Sequence, residues 1–403
     1  MKTKLILASL LASNLIAGAA DFVAHEWGTF TSVHAADGTQ LEWNPGTAVD
    51  LPKFVYDRMR PTPDRPAPDL TDLLGKSTLL SLVRMETPVI YFYSDRERTV
   101  DVDVQFPQGI VTEWYPQTTP TTNRHTRWEK VAILPQLADA SVLPNDGSKT
   151  HYYAARETDG AIIRAPVSKK QVEHEKFLFY RGVGSCGVPL QVRMTGNEEY
   201  VVLQNSENQE LSHLFVLSVR GKAGDFVHLR GLRKDDTKQI KVPRGERSIS
   251  QLQDDLAKAM REALTGEGLY AREAAAMVET WRDSWFGEEG LRVLYILPRQ
   301  WSDRTLPLSI KPAPQKLARV MVGRAEVITP TKEWQLMKQI VKFSEGEQGA
   351  VGRFDQLGLG RFADAAVRRL LGRVPNQEFD GAAWGLLNVS RQQALKEAKL
   401  AAK

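Results

Sequence analysis

The first half of the chain alternates between short apolar runs and turn residues. In TVDVDVQF (99–106), Val100, Val102, Val104 and Phe106 alternate with polar residues, which predicts a strand with one buried face. Similar runs occur at GIVTEWYP (109–116), WEKVAIL (128–134), HYYAAR (151–156), KFLFY (176–180), YVVLQN (200–205) and LSHLFVLSVR (211–220). Many short strands separated by Gly and Pro indicate an antiparallel, β-sandwich-like body over residues 21–245.

The spacing of apolar residues changes near residue 248. SISQLQDDLAKAMREAL places its apolar residues three and four apart, which predicts a helix with Ser248 or Ser250 as its N-cap. The same reasoning predicts helices at 269–285, 332–343, 362–371 and 390–402, and strands at 291–298 and 319–328. The expected fold class is therefore α+β, with a mixed helical and strand region at 246–403 packed against the β-rich body.

Residues 1–20, MKTKLILASLLASNLIAGAA, have the pattern of a secretory signal peptide: lysines, an apolar run, then small residues. The apolar run is shorter than the ~20 residues that span a bilayer, and no later segment is long and apolar enough to do so. We therefore expect a periplasmic or secreted protein without a transmembrane segment in the mature chain.

The amino-acid composition excludes only a few classes of function. The chain has 403 residues, 42% of them hydrophobic and 25% charged, which is typical of a globular protein. Lys and Arg number 53 against 49 Asp and Glu, and they form no dense basic block, so we expect no nucleic-acid partner. A single cysteine, Cys186, excludes an internal disulfide, and we interpret it as a structural thiol although glycines surround it.

Three residues are candidate metal ligands: His25 and Glu26 in HEWGTFTSVH, and His174 in VEHEKF. A divalent transition metal would be the expected cofactor. The pattern is weak because neighbours on a strand face opposite sides. The zinc signature HExxH is also absent, since Thr29 occupies the position of its second His. The alternative is a core strand in which His25 forms only local hydrogen bonds.

The candidate catalytic residues come from two other segments. SKTHYYAARETD (148–159) brings His151, Arg156 and Glu157 together on a predicted strand, which is either a polar pocket wall or an ordinary sheet edge. RMETP (84–88) and TEWYP (112–116) each place one Glu at a predicted strand end, and a pair of carboxylates could cleave a glycosidic bond. We include Glu113 on this ground. Pro88 is expected at a strand start or edge.

Two functions are compatible with these residues. The first is a metal-assisted or acid/base hydrolase of an envelope or environmental polymer, with His151, Glu157 and Glu113 as proton-transfer groups and Arg156 and Arg181 holding an anion. The second is a non-catalytic periplasmic or surface binding or scaffold protein, whose aromatic residues hold a glycan, a cell-envelope component or a protein.

Several long motifs together resemble a family of exported bacterial proteins of unassigned function that carry an HEWGTFT-type N-terminal motif. The motifs are HEWGTFTSV, VRMETPVIYFY, GIVTEWYP, HYYAARETD, EKFLFYRG, TWRDSWF, LRVLYILPR and RVMVGRAEVITP. The resemblance extends over residues 22–330. It implies export, and it implies that the β-rich and helical regions form one unit. It implies no reaction, cofactor or catalytic residue.

Overall fold

The computed structural model describes residues 22–45, 51–58, 80–119, 122–374 and 376–401. Their strands and helices form an α+β arrangement, so the predicted fold class is confirmed. The predicted signal peptide lies outside the described residues.

The described residues form nineteen strands, most of them antiparallel to their neighbours. They are β1 (Phe22–Ala35), β2 (Gln40–Leu41), β3 (Tyr56–Asp57), β4 (Val83–Ser94), β5 (Arg98–Gln105), β6 (Gly109–Tyr115), β7 (His125–Leu134), β8 (Ile162–Pro166), β9 (Val172–Glu175), β10 (Leu178–Gly184), β11 (Leu190–Met194), β12 (Tyr200–Asn205), β13 (Leu211–Arg220), β14 (Ala223–Leu232), β15 (Thr237–Lys241), β16 (Arg247–Ser248), β17 (Gly290–Ile296), β18 (Leu308–Lys311) and β19 (Lys316–Ile328).

These strands build three sheets. The largest has eleven strands in the order β16-β14-β13-β17-β19-β1-β4-β10-β6-β3, with β2 paired to β1. A five-stranded sheet has the order β18-β5-β7-β8-β9, and a three-stranded sheet the order β11-β12-β15. Strands β17 and β19 lie between β13 and β1, so the main sheet joins strands from both sides of residue 245.

Strand β1 lies inside the main sheet, and all 14 of its residues are buried. It pairs in parallel with β19 and antiparallel with β4. Ala24 and Phe30 belong to the apolar cluster shared with the five-stranded sheet, whereas Trp27 belongs to the cluster shared with helices. Burial on both faces explains why HEWGTFTSV lacks the clean alternation of β5.

Seven α-helices occur in the described residues. They are α1 (Ile249–Gly266), α2 (Ala271–Arg282), α3 (Arg299–Thr305), α4 (Pro330–Ser344), α5 (Ala350–Asp355), α6 (Ala363–Leu371) and α7 (Gln377–Ala401). The side chain of Ser248 accepts a hydrogen bond from the Gln251 amide, which confirms the predicted cap of α1. Helix α7 begins well before the predicted residue 390, because the Asn376 side chain caps it by accepting from the Glu378 amide at 2.9 Å.

The segment HYYAAR was predicted as a strand, and that prediction is wrong. His151–Arg156 is a 3₁₀ helix. Tyr152 and Ala155 are its buried residues, and a turn of three residues places them on one side, where they join the cluster shared with α1 and α2. A strand would have sent them to opposite faces.

Among the residues that the structure describes, no helix combines the length and the hydropathy needed to cross a membrane.

Candidate functional site

The main sheet is irregular at one level across four neighbouring strands. The pairing register shifts between β1 and β4, between β4 and β10, and between β10 and β6. Bulges of this kind redirect side chains and are common beside functional sites. The irregularity therefore identifies the region of the sheet most suited to a site.

Thr87 and Pro88 form the bulge of β4. Thr87 is buried and has a φ of 47°, a left-handed conformation that threonine rarely adopts. Pro88 therefore lies inside a central strand, not at the predicted start or edge, because the bulge removes the ladder bond that proline cannot make. Gly28 faces the bulge, and a Cβ there would lie 2.8 Å from the Pro88 Cα, so this position requires glycine.

Glu86 lies directly before the bulge and is buried. Its Oε1 accepts a hydrogen bond from the Thr31 hydroxyl at 2.6 Å, and Arg361 Nη1 lies 2.9 Å and 3.0 Å from its two oxygens. Burial alone would raise the pKa of Glu86. The charges of Arg361, Arg84 and Arg181 outweigh burial and lower the pKa to about 2. Glu86 is therefore a carboxylate at neutral pH.

A cavity of about 300 Å³ opens beside Glu86. It is bordered by β4, β10, the 3₁₀ helix, the end of α2 and the turn that follows α2. Its lining residues are Leu51, Glu86, Thr87, His151, Tyr152, Arg181, Thr280, Trp281, Asp283, Ser284, Glu288 and Arg361. Its volume is at the lower end of the range for small-molecule sites, and its wall combines aromatic with charged groups.

Arg361, one of the residues that line the cavity, has hydrogen-bond donors without a partner in the described residues. Its Nη1 is bonded to Glu86, but its Nε and Nη2 are buried without a hydrogen-bond partner in the described residues. These two nitrogens form one edge of the guanidinium, and their N–H groups point in the same direction. This edge binds carboxylate or phosphate oxygens in a bidentate manner.

The turn after α2 is a π-helix, Asp283–Gly287, a conformation that is rare and often found at functional sites. Asp283 Oδ2 lies 3.9 Å from His151 Nε2, and their side chains are 75% and 57% exposed. These two residues therefore lie in the solvent-accessible part of the cavity wall. His151 is a predicted catalytic residue, and the sequence did not single out Asp283.

A second buried cluster holds the π-helix against the sheet. Glu326 on β19 pairs with Arg292 at 2.9 Å and with Arg324 at 2.8 Å. Arg292 also donates to the carbonyl of Trp285 at 3.0 Å, and Arg324 to that of Ser284 at 2.8 Å. These bonds connect the backbone of the π-helix to β17 and β19.

The other predicted catalytic residues lie in different surroundings. Arg156 forms a bidentate pair with the buried Glu175, through Nε at 2.8 Å and Nη2 at 2.6 Å. Glu157 is exposed at the end of the 3₁₀ helix. Glu113 is buried, accepts a hydrogen bond from the Thr112 hydroxyl and pairs in register with Arg181. Glu113 therefore lies on the strand beside Arg181, a residue that lines the cavity.

The structure does not bring the three candidate metal ligands together. His25 Nδ1 lies 2.7 Å from Glu273 Oε2 on the helix-covered face of β1. Glu26 lies on the opposite face, where it accepts from Tyr180 and from Arg319 Nε at 2.5 Å. His174 is on β9 in the five-stranded sheet. Over the described ranges, no group of three or more His, Cys, Asp or Glu side chains is arranged to hold a metal.

Cys186 is buried, and burial raises the pKa of its thiol to about 11. A nucleophilic cysteine requires a lowered pKa, so this environment fits the structural interpretation.

Sequence reasoning noticed the RMETP segment but did not predict Arg361 or Asp283. The sequence signal for Glu86 was a Glu two residues before a Pro in an apolar segment. No comparable signal marks Arg361, which is separated from Glu86 by 275 positions.

Comparison with known proteins provides no assignment. No family model matches the chain, and no curated protein matches it. Among solved structures, the chain is similar to the yeast delta-COP-I mu-homology domain, complexed with the Dsl1 WxWxV peptide or alone. The TM-scores are 0.30 and 0.29, with 6% identity, covering 76% of this chain and 98% of that chain in each case. Similarity at this level does not bear on the function.

Proposed function

We propose that the chain binds a small anionic molecule, carrying a carboxylate or phosphate group, in the cavity beside Glu86. The observation that supports this is that Arg361, which lines the cavity, has two buried N–H donors without a hydrogen-bond partner in the described residues. Buried donors in native proteins are nearly always bonded, and an unbonded donor is costly. Two acceptor oxygens of a bound anion would satisfy both donors.

The charges around the cavity favour an anion at its inner end. Arg84, Arg181 and Arg361 all lower the pKa of Glu86, so three positive groups act on one carboxylate. Glu113 lies opposite Arg181 in the sheet, and Asp283 and Glu288 also line the cavity, so the positive charge that favours an anion is confined to the surroundings of Glu86. Burial strengthens electrostatic attraction there relative to water.

Glu86 has a positioning role in this proposal. Its contacts with Arg361 Nη1 fix the guanidinium plane before a ligand arrives. A pre-ordered donor pair loses less conformational entropy on binding. Trp281 and Tyr152 supply the apolar part of the wall, which suits a ligand with a hydrophobic body and one anionic end.

Thermal stabilisation of the full chain by inorganic phosphate, benzoate and phenyl phosphate tests the proposal. A bound ligand raises the unfolding temperature in proportion to its affinity and concentration. Arg361→Lys keeps a positive charge beside Glu86 but removes the bidentate edge, and we expect it to weaken binding at least tenfold. Arg353→Ala, on α5, is the matched control and should bind as wild type does. Equal stabilisation of wild type and Arg361→Lys, or none by any of the three anions, would contradict the proposal.

A second candidate is acid/base hydrolysis of an anionic ester in the same cavity. The observation that favours it is the His151–Asp283 pair on the cavity wall. Here Arg181 and Arg361 would hold the anion, and His151 would accept a proton from the attacking water and return it to the leaving oxygen as the ester bond breaks. Asp283 would stabilise the charge that the imidazole carries in between. A substrate from the cell envelope or the environment, and export of the chain, remain part of this proposal.

Hydrolysis of p-nitrophenyl phosphate and of an anionic p-nitrophenyl ester tests the second candidate. His151→Ala should lower kcat at least tenfold, whereas His174→Ala should leave kcat unchanged. If the protein binds these compounds but does not hydrolyse them, the second candidate is wrong and only the proposal of anion binding remains.

A further inference from the structure

A pair of histidines lies away from the cavity, on two neighbouring strands of the main sheet. His213 on β13 and His228 on β14 are diagonal neighbours, since His213 pairs with Arg230 and Phe215 pairs with His228. His213 Nδ1 and His228 Nε2 are 3.0 Å apart. The ring of Phe215 stacks on that of His228 at 4.1 Å and 12°, which fixes its orientation.

Both imidazoles are half-buried, and their surroundings keep them neutral. Burial lowers the pKa of His213, with Glu267 opposing and Arg230 adding to the effect. Burial also lowers the pKa of His228, with His213 and Arg230 adding and Glu262 opposing. Neutral imidazole is the form that binds metal ions.

We propose that His213 and His228 together bind one divalent transition-metal ion of the class that prefers imidazole nitrogen, such as Cu²⁺. Two nitrogens that each lie about 2.1 Å from a metal, at a right angle, are separated by about 3.0 Å. The pair already has this separation. The two nitrogens therefore need no change of separation to bind one ion.

One proton must move when the metal binds. In the free pair, one of the two facing nitrogens donates a hydrogen bond to the other, so one of them carries a proton. On binding, that ring releases this proton to solvent and takes one up on its other nitrogen, so that both facing lone pairs point to the metal. The net charge of each imidazole is unchanged, and the ion brings its own positive charge.

The acidic residues Glu262 and Glu267, on α1 and at its end, reach the pair electrostatically and favour a cation there. The positive charge of Arg230 opposes the attraction of a cation. Since no third protein ligand is available in the part of the chain that the structure describes, water would complete the coordination shell. Cu²⁺ is the probe of choice because it binds nitrogen ligands most tightly among the divalent first-row metals.

Titration of the full chain with Cu²⁺, followed by calorimetry and by electron paramagnetic resonance, tests the proposal. Wild type should bind one more ion than His213→Ala, and its spectrum should show hyperfine coupling to two nitrogens. His228→Gln gives a second variant that keeps a polar side chain under the Phe215 ring. His174→Ala, which removes another strand histidine, should retain the site.

The proposal is overturned if both His213→Ala and His228→Gln bind Cu²⁺ with the stoichiometry, affinity and spectrum of wild type, or if wild type binds none. Thermal unfolding of each variant establishes that it is folded. The site is separate from the cavity, so neither result depends on anion binding.

Discussion

Two clusters of buried arginine and glutamate lie in the main sheet, and they differ in how completely their donors are used. Around Glu326, Arg292 and Arg324 donate to the carboxylate and to backbone carbonyls of the π-helix. Around Glu86, Arg361 keeps two buried N–H groups without a partner in the described residues. The fully bonded cluster connects elements of the fold, whereas the incompletely bonded one borders a cavity. Arg319 beside Glu26 also has a buried donor, Nη2, without a partner in the described residues. The Glu86 cluster is therefore distinguished by its unused donors together with the cavity that Arg361 lines.

The largest loss of stability should come from removing the carboxylate of the Glu326 cluster. Glu326→Ala leaves two buried guanidinium groups without their shared carboxylate, and we expect it to destabilise the protein by about 3–5 kcal/mol. Urea unfolding measures this change. Glu288→Gln alters a partly exposed partner of Arg324 and should cost much less. If Glu326→Ala and Glu288→Gln lowered the free energy of unfolding equally, burial would not distinguish the two carboxylates.

Glu86→Gln should reveal a pH-dependent contribution to stability. The pKa of Glu86 is lowered from 4.5 to about 2 in the folded state, so its contribution is fully present above pH 4.5 and is lost as the pH falls towards 2. The shift corresponds to about 3 kcal/mol. Unfolding free energies at pH 7 and pH 3 should therefore differ more in wild type than in Glu86→Gln, and Glu157→Gln should behave as wild type does.

Lysine substitutions compare the two clusters directly. Arg292→Lys removes donors that reach three carbonyls and Glu326, and it should cost about 2–4 kcal/mol. Arg361→Lys removes donors that have no partner in the described residues, and it should cost about 1 kcal/mol or less while still weakening anion binding. If Arg361→Lys proved as destabilising as Arg292→Lys, the distinction between the clusters would fail.

The smallest effect on stability is expected at the cavity entrance. His151 is largely exposed, so His151→Ala should change the free energy of unfolding by less than about 0.5 kcal/mol. Urea unfolding and ligand titration of the same sample separate stability from function. A large loss of stability would show that His151 supports the fold and would remove it from the candidate site.

Features set by local sequence were predictable. The alternation of β5 and the helical spacing after Ser248 depend on neighbouring residues, and both were identified correctly. The Glu86 cluster beside the cavity is formed by Thr31, Glu86 and Arg361, which come from three distant parts of the chain. No local sequence pattern predicts that three residues so far apart in the chain come into contact. His151 was selected from its polar neighbours and does line the cavity, although its segment forms a 3₁₀ helix instead of the predicted strand.

The parallel pairing of β1 with β19 has a consequence for how the chain folds. Glu26 and Arg319, which fasten the two strands, are 293 positions apart, and β1 needs β19 on one side to complete its hydrogen bonds. Closing so long a loop is entropically costly, and contacts this distant slow folding. During synthesis, the apolar β1 must therefore wait until residues 316–328 have left the ribosome. A chaperone that shields this strand would be expected to raise the yield of native protein.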